Sequence, residues 1–377
     1  MKTTRTQIAF SILLLFVIVG MVDIQDPKGK KVYLNHPGLT KGETGVYYLN
    51  TSKSTNNELY YIDVQSVLCA EKVCKVVPVR VVWNKFGEYQ EFKMINGATL
   101  EKLEKNKVVP FSESDYKLLH NILSDKKSPF KNLTYGEITK TYAHGEGEEL
   151  DGRSGATAIM LEEGESIVGA TWTCYTLWHW VYGDAVGEIR AFSAENSSTK
   201  KLLTILKSKR REQQNYTINA IVNQGLYNIA FWEELTASIE MYSDDQVRLL
   251  VKYLEKANQT DFYKYYAVWF HGITPQKRIH FLRNLFNSAQ NISPKFVTDL
   301  YRNLPLISDY AEFDAFIHVL DKRQLESAEI NVYVIKYLSN NTIFSRRAYW
   351  YLQDKNLTKE QLKAMKKYKR VNKKVLQ

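Results

Sequence analysis

The feature that most narrows the fold of this chain is a change of hydrophobic period near residue 198. Upstream, runs rich in β-branched and aromatic residues sit between clusters of Asn, Gly, Lys and Ser: VYYL at 46–49, LYYIDVQSVL at 59–68, KVVPVRVVW at 75–83 and EYQEFKM at 88–94. Runs of this composition and length read as half-buried strands. Downstream, from STKKLLTILKSKRREQQ onward, apolar residues return at the spacing of one helix face, with no convincing strand. The clearest examples are NIAFWEELTASIEMY, QVRLLVKYLEKAN, KRIHFLRNLF, PKFVTDLYRNL, FDAFIHVLDKR, INVYVIKYL and SRRAYWYLQDK, divided by polar breaks such as NQTD, NISP and SNNT. This pattern predicts an α+β domain over 30–197, followed over 198–377 by an all-α domain of stacked hairpins, helical-repeat and solenoid-like. No residue recurs at one fixed spacing, so an irregular helical bundle is the alternative.

Within the first domain, Pro78 points to an edge position or a bulge in its strand, because proline cannot donate to a ladder. ATLEKLEKN (98–106) reads as a helix. SESDYKLLHNILSD (112–125) reads as a second, capped by Ser112. VGATWTCYTLWHWVYG (168–183) is apolar nearly all round and is expected to be a buried helix or strand.

The chain opens with MKTTRTQ and then an apolar run of 15 residues, Ile8–Val22, interrupted only by Ser11. A stable span needs ~20, so residues 1–24 read as an export signal, cleaved or kept as a marginal anchor. The remainder is then expected to be periplasmic or in the cell envelope, tethered to the inner membrane by residues 8–22 if the signal is kept. Export makes a disulfide between Cys69 and Cys74 the expected state of that pair, across a short polar turn between β-prone runs. Two reduced thiols are the alternative, and Cys174 reads as a buried thiol. Formal net charge is +10, and LTKEQLKAMKKYKRVNKKVLQ holds much of the excess. Nucleic acid is not expected as a partner of an exported chain; a solvated helix end is the simplest account, with anionic lipid or an acidic protein as alternatives.

Common enzyme constellations are missing from the sequence: no G-x-S-x-G, no H-E-x-x-H, no P-loop and no G-x-G-x-x-G after a strand. His271 and His280 read as structural. His144 beside Glu146, Glu148 and Glu149 reads as a solvated acidic loop rather than a metal site. What remains is DGRSGAT at 151–157. Asp151, Ser154, Gly155, Ala156 and Thr157 resemble the attachment motif of the FMN-binding domain family, which includes the flavin-carrying subunits of sodium-translocating quinone reductases and Rnf-type complexes.

That resemblance implies FMN linked through its phosphate to the Thr157 hydroxyl by a flavin transferase. Gly155 and Ala156 would keep bulk away from the phosphate, Ser154 would add a hydrogen bond, and Asp151 would orient the transfer. The function implied is electron transfer by an exported flavoprotein, any enzymatic role being that of an FMN-dependent redox component. Its helical domain, which loosely resembles HEAT-like repeats, would dock a redox or envelope partner. The chain departs from the family pattern after Thr157, where AIMLEEGES follows. A second Gly-Ala-Thr, Gly169 to Thr171, has Val168 in the Ser/Thr position and ranks behind Thr157. The competing expectation is a cofactor-free envelope scaffold in which SGAT is a structural loop. The aromatic group Trp172, Tyr175, Trp178, Trp180 and Tyr182 is open to two readings, a stacking surface for a flavin ring or core packing.

Overall fold

The computed structural model describes residues 29–39, 44–53, 58–67, 76–105, 107–134, 136–138, 161–302, 304–339, 343–374 and 376. The chain divides into two compact units, Met1–Ile189 and Arg190–Gln377. An antiparallel sheet region dominates the first, and the second is helical. Cys69, Cys74, Asp151, Ser154, Gly155, Ala156, Thr157 and the apolar run 8–22 lie outside the described residues. Among the described residues, no helix is long and apolar enough to cross a membrane.

The sheet is a meander of five antiparallel strands in sequence order: β1 (Lys30–Leu34), β2 (Gly45–Lys53), β3 (Glu58–Gln65), β4 (Pro78–Asn84) and β5 (Tyr89–Met94). Alternation decides its faces. Tyr60, Ile62 and Val64 of β3 and Val79, Val81 and Trp83 of β4 are buried on one side. On the other, Arg80 grips Asp63 across the strands with two bonds, Nε to Oδ1 at 2.7 Å and Nη2 to Oδ2 at 2.9 Å. Pro78 does not mark an edge: β4 lies between β3 and β5, and Pro78 is its first residue, where a missing N–H is tolerated. The register does shift further along the strand, between Val82 and Trp83.

The helix expected over 98–106 is instead the start of a hairpin, β6 (Glu101–Glu104) paired with β7 (Lys107–Pro110). Lys105 turns with φ +48°, Leu103 pairs with Val108, and the Leu103 N–H donates to the Gly169 carbonyl at 3.0 Å. A segment with apolar residues only at Leu100 and Leu103 has no full helix face to bury, so cross-strand pairing prevails. Helix α1 (Glu113–Ser124) forms as expected, with Ser112 and Asp115 closing a reciprocal capping box. α2 (Thr171–Tyr182) is the buried segment anticipated from its all-round apolarity. Three ties fix it: Trp83 Nε1 donates to the Val181 carbonyl at 3.0 Å, Trp178 Nε1 to Asp125 at 2.9 Å and the Tyr182 hydroxyl to Leu123 at 2.9 Å. α3 (Ala185–Glu195) runs across the division between the units.

The helical unit continues with α4 (Thr199–Leu206), α5 (Arg211–Gln224), α6 (Ile229–Ala237), α7 (Asp244–Glu255), α8 (Gln259–His271), α9 (Pro275–Asn287), α10 (Pro294–Tyr301), α11 (Tyr310–Lys322), α12 (Ala328–Ile335), α13 (Ile343–Leu352) and α14 (Lys359–Val371). α5 packs on α7, α7 on α9, α9 on α11 and α11 on α13; α4 packs on α6, α6 on α8, α8 on α10 and α10 on α12. Ser198, Asn228, Asn258, Ser293, Ser327 and Thr358 each cap a helix by accepting a backbone N–H from its first turn.

Candidate functional site

In the sheet unit, histidine and aromatic rings gather where α2 meets the sheet. His36 follows β1 and is buried. Its Nδ1 accepts the Gly38 N–H at 2.9 Å, which leaves Nε2 to carry the proton and donate to the Thr176 carbonyl at 2.9 Å. Both nitrogens are thus occupied, and burial lowers the pKa to about 4 against the pull of the Thr176 carbonyl. A neutral imidazole with no free lone pair is neither a base nor a metal ligand in this state. His179 is also held near 4 by burial, partly offset by the Phe130 backbone. Among the described residues, buried Nε2 of His179 and Nε1 of Trp180 have no hydrogen-bond partner.

The rings of this nest spend their faces on one another. His36 lies 4.3 Å from Trp180, Tyr47 4.9 Å from Trp180, Tyr175 4.4 Å from His179 and Trp178 4.8 Å from Tyr182, centroid to centroid. Such contacts are those of a packed core. Of the two readings of the aromatic group, the geometry favours core packing.

The second Gly-Ala-Thr is a helix start, not an exposed loop. Gly169 adopts φ +75°, and a Cβ there would stand 1.9 Å from the Leu103 carbonyl oxygen. Thr171 is 7% exposed, and its Oγ1 accepts a hydrogen bond from Ser166 Oγ at 3.0 Å. A hydroxyl so enclosed is closed to a modifying enzyme. Cys174 is fully enclosed, and burial raises its thiol to about 11, which makes it inert as a nucleophile.

The helical unit holds a cleft of about 330 Å³, a site that sequence reasoning missed. Val297 and Tyr301 of α10, Ile330, Val332 and Tyr333 of α12, and Leu306 of the connection line it. Leu306 and Val332 are 41% and 50% exposed, large values for apolar side chains beside a concavity. Beneath it, the Tyr301 hydroxyl donates to Glu312 Oε1 at 3.2 Å, and Arg278 Nη1 lies 3.5 Å from the same oxygen. Burial raises the Glu312 pKa, with Arg278 opposing the shift. The floor is therefore a satisfied polar network under an apolar mouth, rimmed by Arg302, Glu329 and Lys336. The only sequence signals were apolar residues in PKFVTDLYRNL and INVYVIKYL, and they do not tell which neighbours meet.

The chain matches no known protein family, no curated protein and no solved structure.

Proposed function

We propose that this chain acts by binding, as a cofactor-free cell-envelope scaffold whose helical unit is a HEAT-like repeat array that docks a partner protein. One observation carries the reading: helices pack on alternate neighbours in two rows, tied by contacts between consecutive helices such as α4 on α5, α7 on α8 and α12 on α13, and along one row a capping side chain returns every 30 to 35 residues, from Ser198 to Thr358. A quasi-one-dimensional stack offers an extended surface suited to recognition. The cleft between α10 and α12 supplies the anchor point, sized for one or two large apolar side chains of a partner. The test is Leu306→Glu with Val332→Glu, purified from host envelopes after in-cell crosslinking. Both positions are exposed, so the fold is expected to survive with its thermal midpoint nearly unchanged, while a discrete partner is lost. Retention of the same partners would count against the cleft.

A second reading rests on one sequence observation, the run Asp151 to Thr157. In it Thr157 carries FMN through a phosphodiester, and the chain relays electrons for an envelope redox assembly. Intact mass after co-expression and export with a flavin transferase separates the two. The scaffold reading expects the unmodified mass. An added FMN less one water, lost in Thr157→Ala and retained in Thr171→Ala, would establish the flavoprotein instead.

A further inference from the structure

α14 presents two opposed faces. Thr358 and Gln361 close a capping box at its start. Gln361, Met365 and Tyr368 are buried, the Tyr368 hydroxyl lies 2.9 Å from Ser345 Oγ, and the Tyr368 ring sits 5.4 Å from that of Tyr349. These contacts fix how the helix is rotated. At about 100° per residue, Lys359, Lys363, Lys366, Lys367 and Arg370 fall within an arc of roughly 100° centred opposite the buried face. All five are exposed, and Lys369, Lys373 and Lys374 extend the charge. Among the described residues, no ion pair involves any of these cations. Glu360 is the single acidic residue on the helix. Leu362 and Val371, 45% and 66% exposed, flank the cationic stripe on its two sides.

We propose that this face of α14 is a docking strip for an anionic phospholipid surface. Three observations favour lipid over an acidic protein. The cations form a stripe along one face of a single helix, which suits a fluid sheet of negative headgroups rather than one fixed partner geometry. Leu362 and Val371 leave exposed apolar surface at the two edges of the stripe, which the interfacial region of a bilayer accepts and an acidic protein surface does not. The same chain carries the apolar run Ile8–Val22, which reads as a membrane-directed segment. Clusters of four to eight basic residues on one helix face are the charge pattern that anionic bilayers attract. The inference is independent of the cleft and of the flavin.

The test is co-sedimentation of the full chain with vesicles of phosphatidylcholine alone or with one-quarter phosphatidylglycerol. Residues 8–22 would contribute to both, so the anionic excess is the readout. The expected excess is about tenfold or more at ~0.05 M salt, falling toward unity at ~0.5 M as the Debye length shrinks. Lys363→Gln, Lys366→Gln, Lys367→Gln and Arg370→Gln together should remove most of it. The three lysines changed to Arg should keep it, showing that charge and not local folding is read. Removing four exposed cations elsewhere (Lys200, Lys209, Arg210 and Lys252) should leave it intact. No anionic excess would overturn the proposal, as would equal loss in that control set. Binding of poly-glutamate or duplex DNA by the strip without vesicle binding would also overturn it.

Discussion

At the scale of single residues, the sheet unit is governed by groups whose partners lie far along the chain. His36 and His179 titrate near 6.5 when unfolded and near 4 when folded, because burial opposes their charged forms. Between those values the unfolded chain binds more protons, so stability is complete above about pH 6.5 and drains away as pH falls toward 4. His36 alone is expected to contribute up to about 3 kcal/mol to that loss. Denaturant titrations followed by tryptophan fluorescence at several pH values would show it, and His36→Gln should flatten the slope while lowering the plateau. A steep slope unchanged in His36→Gln would contradict the assignment. Gly169→Ala is expected to cost roughly 3 kcal/mol or more, since it combines a positive φ with backbone contact at Leu103. Ser112 was readable because its capping box spans three residues. His36 was not, because its acceptor at Thr176 is 140 positions away.

At the scale of elements, two helix ends make the same structure far apart in sequence. After α5, Gly225 takes φ +64° and the Leu226 N–H reaches back to Ile221; after α11, Gln324 takes φ +52° and the Leu325 N–H reaches back to Leu320. The carbonyl that follows is held in each case by a tyrosine from the next helix of the row: Tyr253 to Leu226 at 2.6 Å and Tyr351 to Leu325 at 3.3 Å. Tyr253→Phe and Tyr351→Phe are each expected to lose about 1 kcal/mol and to add when combined, as measured by urea midpoints. Gln324→Gly should gain about 0.5–1 kcal/mol by relieving the left-handed backbone; a loss there would show that the side chain matters instead. Most helices were legible because their apolar residues share one face. α5 was obscured by polar residues in REQQNYTINAIVNQ, and β1 by the lysines of KKVYL. The hairpin over 101–110 was misread because ATLEKLEKN is rich in helix-forming residues, whereas pairing with KVVP and contact with Gly169 decide the outcome.

At the scale of the whole molecule, an antiparallel sheet region within residues 30–110 is followed by a mostly helical part, the order the sequence indicated, but among the described residues helices replace strands from Glu113 onward, well before the change of period near residue 198. The return of capping residues was hidden, because Ser, Asn and Thr share the role and the spacing drifts between 30 and 35. The cleft was illegible for a related reason: α10 and α12 become neighbours through packing of alternate helices, which no local pattern encodes. The proposed function places a docked protein on the surface around this cleft. Its most direct measurement is site-specific photocrosslinking in the host cell, with a benzophenone side chain at Val332 and, as control, at Trp350 of α13. The two residues are about equally exposed, at 50% and 48%. A discrete adduct is expected from Val332, abolished by Leu306→Glu, with none of the same mass from Trp350. The same adduct from both positions, or none from Val332, would contradict the proposed function.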